Sequence, residues 1–243
     1  DSLPTDLPVD VIHNSFSFQV AGDAGKAFAD RLKLRPGSFK VGFVGNLLRV
    51  KGIFELIEAA RLTREQGVDT EFIIVGGEAG RSGTLRSRML NRMKLGQDVG
   101  SEVREKIAEY GLGDQVHMTG FTADIAPAYA CMDVLCFPSH YDAPGRPIFE
   151  AAFAGVPSIV AVRTPKPDTL VDGVTGLAVP PHDAVALAGA IAALAADRGR
   201  AKQMGKAAHD LAASQFLPER NSKKLLALYQ RVSVQAGGRR KMD

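Results

Sequence analysis

The 243-residue sequence predicts an α/β fold built on a doubly wound parallel sheet. Three observations carry that prediction. Short apolar runs alternate with longer stretches of 3.6-residue periodicity from Phe39 to Val234. Glycines close successive runs, Gly45 after Phe39–Val44 and Gly76-Gly77 after Thr70–Val75, which points to a crevice at the carboxyl edge of a parallel sheet. The spacing between runs suits right-handed helical crossovers.

Taken in order, residues 1–38 read as a linker and crossover segment. Leu3-Pro4-Thr5-Asp6-Leu7-Pro8 is punctuated by proline, Val9–Ile12 is a short strand-like run, and His13 reads as a linker residue. A helix is expected from Lys26 to Leu34, stopped by Pro36-Gly37. Phe39–Val44 is the first strand of the domain proper, which runs over residues 39–217. After it come Gly45-Asn46-Leu47-Leu48-Arg49-Val50-Lys51-Gly52 and an amphipathic helix with Ile53, Leu56, Ile57, Ala60 and Leu62 on one face. Thr70–Val75 is the second strand. Residues 79–101 form an insertion with Arg81, Arg86, Arg88, Arg92 and Lys94 at helical spacing and Leu85, Met89 and Met93 on another face. It reads either as a helix lying on anionic lipid headgroups or as an exposed segment with a solvated basic face. The helix Glu102–Tyr110 ends at Gly111, and Val116–Phe121 is the third strand with its turn. Thr122 or Asp124 caps a short helix through Tyr129. Val134–Phe137 and Ser158–Val162 are the fourth and fifth strands. Helices over Ala184–Ala195, Arg200–Phe216 and Pro218–Val234 follow, the last with a basic frayed tail, so that residues 218–243 form a C-terminal helix and tail.

Composition narrows the class of partner. At 45% hydrophobic and 23% charged, the chain is that of an ordinary soluble globular protein with a sizeable core. A net charge of +3 suits an anionic ligand or a weak attraction to a membrane surface, and no interleaved basic and aromatic pattern calls for nucleic acid. Cys131 and Cys136 flank a strand without a metal-spaced partner, so both read as reduced core residues of a cytoplasmic protein. No run reaches the roughly 18 apolar residues of a membrane span. The chain opens at Asp1 and reads as a piece of a longer product.

The stretch with the most chemistry runs from Pro138 to Pro157. It leaves the fourth strand, crosses a turn rich in proline and glycine, and enters a helix near Pro147. A strand, loop and helix N-terminus offers N–H groups and a positive dipole end to an anion. Asp142 and Glu150 bracket the turn eight positions apart, and acids beside an anion pocket suit a ligand with both phosphate and hydroxyl groups. In the Gly45–Gly52 loop, Arg49 and Lys51 would neutralise such a phosphate; the alternative is that both are solvated cations at a helix start. His140 and Tyr141 read equally as sugar contacts or as loop packing.

Asp142-Ala-Pro-Gly145, continuing to Glu150-Ala-Ala-Phe-Ala-Gly155-Val-Pro157, resembles the acid-x7-acid signature of retaining glycosyltransferases of GT-B architecture, family 4-like, group 1. Asp142 stands where the family has Glu, and Pro144 where it has Phe. Asp172–Pro180 resembles the family's Asp-Gly-x-x-Gly-x-Leu-Val-Pro segment, preceded by Asp168 in place of Glu. The resemblance implies a Rossmann-like, C-terminal half of the GT-B fold that binds the sugar donor. It implies that Glu150 binds the ribose hydroxyls, that the amides of Ile148 and Phe149 hold the diphosphate beside Gly145 and Arg146, and that Asp142 faces the transferred sugar. Lys51 takes the lysine place of the family's Gly-Arg-x4-Lys-Gly element, whereas Asn46 stands in the arginine place and Arg49 is displaced three positions along. Gly45, Gly76 and Gly77 would line the donor crevice. Phe121 falls where the family's base rests, with core packing as the alternative.

The implied activity is hexosyl transfer from a UDP- or GDP-sugar to the hydroxyl of a carbohydrate or lipid-linked acceptor. No cofactor is implied, and no metal either, in keeping with the lack of an Asp-x-Asp motif. The family's N-terminal acceptor domain would not fit in 38 residues, so the chain by itself is expected to be inactive and the whole protein to work in the cytoplasm or at the inner face of the membrane. Two rivals stand beside this reading. One is a non-catalytic nucleotide-sugar-binding module with a degenerate site. The other, a dinucleotide enzyme, is disfavoured because no Gly-x-Gly-x-x-Gly follows the first strand.

Overall fold

The computed structural model of the protein describes residues 10–16, 22–77, 99–142 and 145–239, with side chains in the last helix described to residue 233. The cations and methionines of the 79–101 insertion and Pro144 lie outside the described residues. In chain order the elements are α1 (Ala24–Arg31), β1 (Phe39–Val44), a 3-10 turn (Arg49–Lys51), α2 (Ile53–Glu65), β2 (Thr70–Val75), α3 (Val99–Glu109), β3 (Val116–Gly120), α4 (Ala126–Ala130), β4 (Val134–Phe137), α5 (Arg146–Phe153), β5 (Ser158–Ala161), β6 (Gly176–Val179), α6 (Ala184–Ala196), α7 (Arg198–Phe216) and α8 (Pro218–Arg239).

The six strands form one sheet in the order β3-β2-β1-β4-β5-β6, and every pairing is parallel. The chain builds outward from β1 to β3, then returns to the opposite side of β1 with β4. The loops leaving β1 and β4 at their carboxyl ends therefore diverge to opposite faces, and a crevice opens between them. This is the doubly wound, Rossmann-like arrangement expected of the sequence.

Period-2 alternation divides the strands between two cores. Phe39, Val41, Phe43, Phe72 and Ile74 pack on one face with Leu56, Val103, Leu187 and Ile191 of the covering helices. Ile73, Val75 and Leu135 face the other way, under Phe28, Tyr129 and Met132. Cys136 is buried and Cys131 half-buried, both as free thiols. Burial pushes the Cys131 thiol up to about 12 and raises Cys136 further, so both stay protonated and inert.

Several boundaries differ from expectation. α1 stops at Arg31 because Lys33 turns left-handed at φ 55 and Leu34 N–H closes back on the Ala29 carbonyl, which tucks Leu34 into the core. β3 ends at Gly120, itself at φ 74, and leaves Phe121 81% exposed. α8 continues past Val234 through Gly237 and Gly238 to Arg239, where a frayed tail was expected; once a helix is nucleated each further residue adds a hydrogen bond. Residues 10–16 are not a bare linker. Phe16 N–H donates to the Phe216 carbonyl at 2.9 Å, Asn221 Nδ2 donates to the His13 carbonyl at 3.0 Å, and His13 Nε2 lies 3.3 Å from Asp168. Among the described residues no helix is long and apolar enough to cross a membrane.

Candidate functional site

The floor of the crevice is made of backbone. Gly45 N–H donates to the Val75 carbonyl at 3.0 Å, Gly76 N–H to Gly120 at 2.9 Å and Leu47 N–H to Gly77 at 3.1 Å, so the ladder continues beyond the ends of β1, β2 and β3. Gly76 sits at φ 144, and a Cβ there would lie 1.8 Å from the Gly45 carbonyl oxygen. Only glycine allows that approach. Asn46 is exposed above this floor. Phe121 stands exposed at the same edge, its Cβ 3.7 Å from where a Gly77 Cβ would be. The core-packing alternative for Phe121 is thereby removed, and the ring offers a flat face to solvent.

Across the switch point the turn after β1 is fastened to the loop after β4. Gly52, at φ 72, packs so closely that a Cβ would meet the Pro138 carbonyl oxygen at 1.9 Å. His140 N–H donates to the Val50 carbonyl at 2.9 Å. This brings Lys51 to the start of α5: its ammonium lies 5.8 Å from the centroid of Phe137, and Gly145 abuts the same ring, where a Cβ would meet Phe137 Cζ at 2.4 Å. Among the described residues Lys51 has no carboxylate partner. Arg49 is not brought with it. Its guanidinium pairs with Glu102 and lies 4.7 Å from the Phe54 centroid, so an Arg49 phosphate contact would require that pair to open.

α5 begins at Arg146 with Pro147 in its first turn and Gly145 as the extended residue before it, as the sequence predicts. Ile148 is buried and its N–H donates to the Gly145 carbonyl at 3.1 Å, so a diphosphate contact at that amide would have to share or open this bond. The Phe149 ring is committed to an aromatic cluster, 4.3 Å from Phe216 and 5.3 Å from Phe16 by centroids. Glu150 is 6% exposed. Its Oε1 accepts from Arg146 Nε at 2.6 Å and its Oε2 from the Tyr129 hydroxyl at 2.9 Å. Burial, and then the charge of Glu150, drive the Tyr129 phenol far above its ordinary range, so it remains a donor at any physiological pH. Asp142 is exposed, accepts from Arg163 N–H at 3.1 Å and opens on a cavity of about 360 Å3 lined also by Ile148, Val160, Val162, Lys166 and Thr169.

Comparison with known proteins identifies the family and the fold. The family model for glycosyl transferases group 1 matches residues 26–211. The chain belongs to that family. Within group 1 it is similar to the D-inositol 3-phosphate glycosyltransferase of Nocardia farcinica, 31% identical over 188 residues that cover 76% of this chain and 38% of the relative. The enzyme of the same name from Kribbella flavida is 29% identical over 208 residues, 82% of this chain and 46% of the relative. The chain thus spans less than half the length of these curated relatives. Its fold matches that of HepE from Anabaena, solved in complex with UDP, at a TM-score of 0.78 and 23% identity, covering 91% of this chain and 57% of HepE. It also matches the C-terminal domain of the group 1 protein LpcC from Francisella tularensis at a TM-score of 0.67 and 25% identity, covering 83% of this chain and 96% of that domain.

In this group 1 chain two residues of the candidate site are not singled out by the sequence. Tyr129 carries no local signal, because its partner Glu150 lies 21 positions away on another helix. Arg163 acts through its backbone N–H, which no side-chain pattern reveals. His140, left open between sugar contact and packing, is held by Glu55 at 2.8 Å.

Proposed function

We propose that this chain is the donor-binding domain of a retaining glycosyltransferase that moves a hexosyl group from a UDP- or GDP-sugar to a hydroxyl acceptor, with no metal ion on the diphosphate. The observation that carries the reading is the meeting of Lys51 and the N-terminus of α5 about the Phe137 ring at the switch point. A cation and a helix dipole end converging there suit the negative charge that grows on a leaving diphosphate. Such groups speed transfer insofar as they bind the developing charge more tightly than the ground state. The ribose would donate to Glu150 Oε1, on the side now covered by the largely exposed Arg146, whose side chain would turn to the phosphate. The base would rest on Phe121, and the sugar would occupy the cavity beside Asp142. HepE, whose fold is shared, binds UDP.

A carbohydrate or lipid-linked acceptor would be supplied through the acceptor half of the full protein, working in the cytoplasm or against the inner membrane face. One observation favours a second reading, a nucleotide-sugar-binding module without turnover: Arg49 is committed to Glu102 and Asn46 stands in the arginine place, which leaves the diphosphate fewer cations. Calorimetric titration of the chain with UDP, GDP, ADP and their sugar conjugates, repeated on Glu150→Ala, tests the donor site. Preferential binding of one nucleotide, weakened by at least about 1 kcal/mol in the variant, is expected. Binding that ignores Glu150 would overturn the ribose assignment, and sugar transfer by the full-length protein separates the two readings.

A further inference from the structure

Glu55, His140 and His182 come from three separate places in the fold: the first turn of α2, the loop after β4 and the turn before α6. Their ligand-bearing atoms all lie within 4.8 Å of one another. His140 Nε2 is 2.8 Å and His182 Nδ1 3.6 Å from the same carboxylate oxygen, Oε1 of Glu55. Around a tetrahedral Zn2+ with bonds of about 2.0–2.1 Å, neighbouring ligand atoms stand about 3.3 Å apart. The two Glu55 distances bracket that edge and the third, between the histidines, is at most 4.8 Å, so side-chain shifts of about 0.5–1.5 Å would admit an ion at bonding distance from all three.

The rest of the geometry points the same way. The two imidazole rings are 3.9 Å apart by centroids, tilted by 43°, and both address one carboxylate. His182 holds its ring there from a left-handed backbone, φ 63, a conformation uncommon for a residue other than glycine. Glu55 and His140 are 19% and 23% exposed while His182 is 57% exposed, so an ion would enter from the His182 side onto two sheltered ligands. Two imidazole nitrogens and one carboxylate oxygen are a set that borderline divalent ions favour, and three protein ligands leave a position for water.

We propose that Glu55, His140 and His182 form a binding site for a divalent transition-metal ion of the Zn2+ kind. The ion would tie α2, the loop after β4 and the β6–α6 turn together at the shoulder of the crevice. Because His140 N–H and Ser139 Oγ both reach the Val50 carbonyl, at 2.9 and 3.4 Å, it would also steady the turn that carries Lys51. Its role is positional and goes beyond the proposed donor chemistry, in which no ion sits on the diphosphate.

The test is a titration of the metal-free chain with Zn2+ against a chromophoric chelator, with Co2+ absorption as a second readout. One ion per chain and a tetrahedral-type Co2+ spectrum are expected. Loss of residues that merely support metal ligands costs about 10–100-fold in affinity, so loss of a ligand should cost at least about 100-fold. His140→Ala and His182→Gly should both show it, the glycine preserving the left-handed backbone. His209→Ala, whose ring lies 3.6 Å from exposed Asp210, should bind as the parent does. Thermal melts monitored by circular dichroism keep the test open if one variant folds poorly: Zn2+ should raise the melting temperature of the parent chain and leave that of Glu55→Gln unmoved. No stoichiometric binding by the parent, or binding that survives both histidine substitutions, would overturn the proposal.

Discussion

Tyr129→Phe removes one oxygen atom from the centre of the fold and leaves the ring in place. The phenol is fully buried and donates to Glu150 Oε2 at 2.9 Å. Glu150 is itself buried, so without the phenol its carboxylate keeps, among the described residues, only the Arg146 contact at 2.6 Å. A hydrogen bond to a charged group contributes about 1.5–3 kcal/mol, and the stability of the variant should fall by that amount. In a chain of this size each kcal/mol moves the thermal midpoint by about 2–4 °C, which gives an expected drop of about 3–12 °C. Urea denaturation followed by circular dichroism measures the loss directly. Glu150→Gln and the double variant complete a cycle in which the two sites should couple by at least about 1 kcal/mol. A Tyr129→Phe variant within about 0.5 kcal/mol of the parent, or a cycle with no coupling, would refute the idea that the phenol holds the carboxylate.

Phe121→Ala should weaken UDP binding by about 1–3 kcal/mol if the ring stacks on the base. Its stability should stay within about 0.5 kcal/mol because the ring is exposed, and unchanged affinity in a calorimeter would remove the stacking role. In the full-length protein, Lys51→Ala should lower kcat by about 100-fold with a much smaller change in donor affinity, whereas equal losses in both would count against a role specific to the transition state. Stability should also decline at alkaline pH. Burial raises the folded-state pKa of Cys131 from 9.0 to about 12, and raises Cys136 and Tyr129 beyond that. A group raised in this way stabilises the fold fully below its unfolded pKa and loses that contribution as pH climbs toward the folded value. Each thiol should therefore remove about 1.4 kcal/mol per pH unit from about pH 9 upward, with Tyr129 joining above about pH 10. A urea midpoint that holds steady from about pH 8 to about pH 11 would contradict this.

The parts of the site that were legible in the sequence are those that the backbone imposes locally. A glycine at the end of an apolar run, as at Gly45 and Gly76, announces a strand edge where another chain segment comes close, and proline followed by an amphipathic run announces the start of α5. Contacts that depend on how helices and loops meet leave no such mark. Arg49 looks like a phosphate ligand from its neighbours, yet its partner Glu102 is 53 positions away. The same holds for Glu55 and His140, 85 positions apart. Phe121 was ambiguous for a different reason: a phenylalanine after a strand is written the same way whether its ring turns inward or outward. What turns it outward is the left-handed Gly120, which ends β3 one residue early.

The docking of residues 10–16 onto the end of α7 ties the start of the described chain to α5. Phe16 is bonded through its backbone to Phe216 and stacks at 5.3 Å on Phe149, the residue next to Glu150 in α5. That N-terminal segment is therefore one aromatic contact away from the residue beside the Glu150 carboxylate. The segment and α5 thus share one aromatic cluster, so that neither can shift without repacking Phe149 against Phe16 and Phe216.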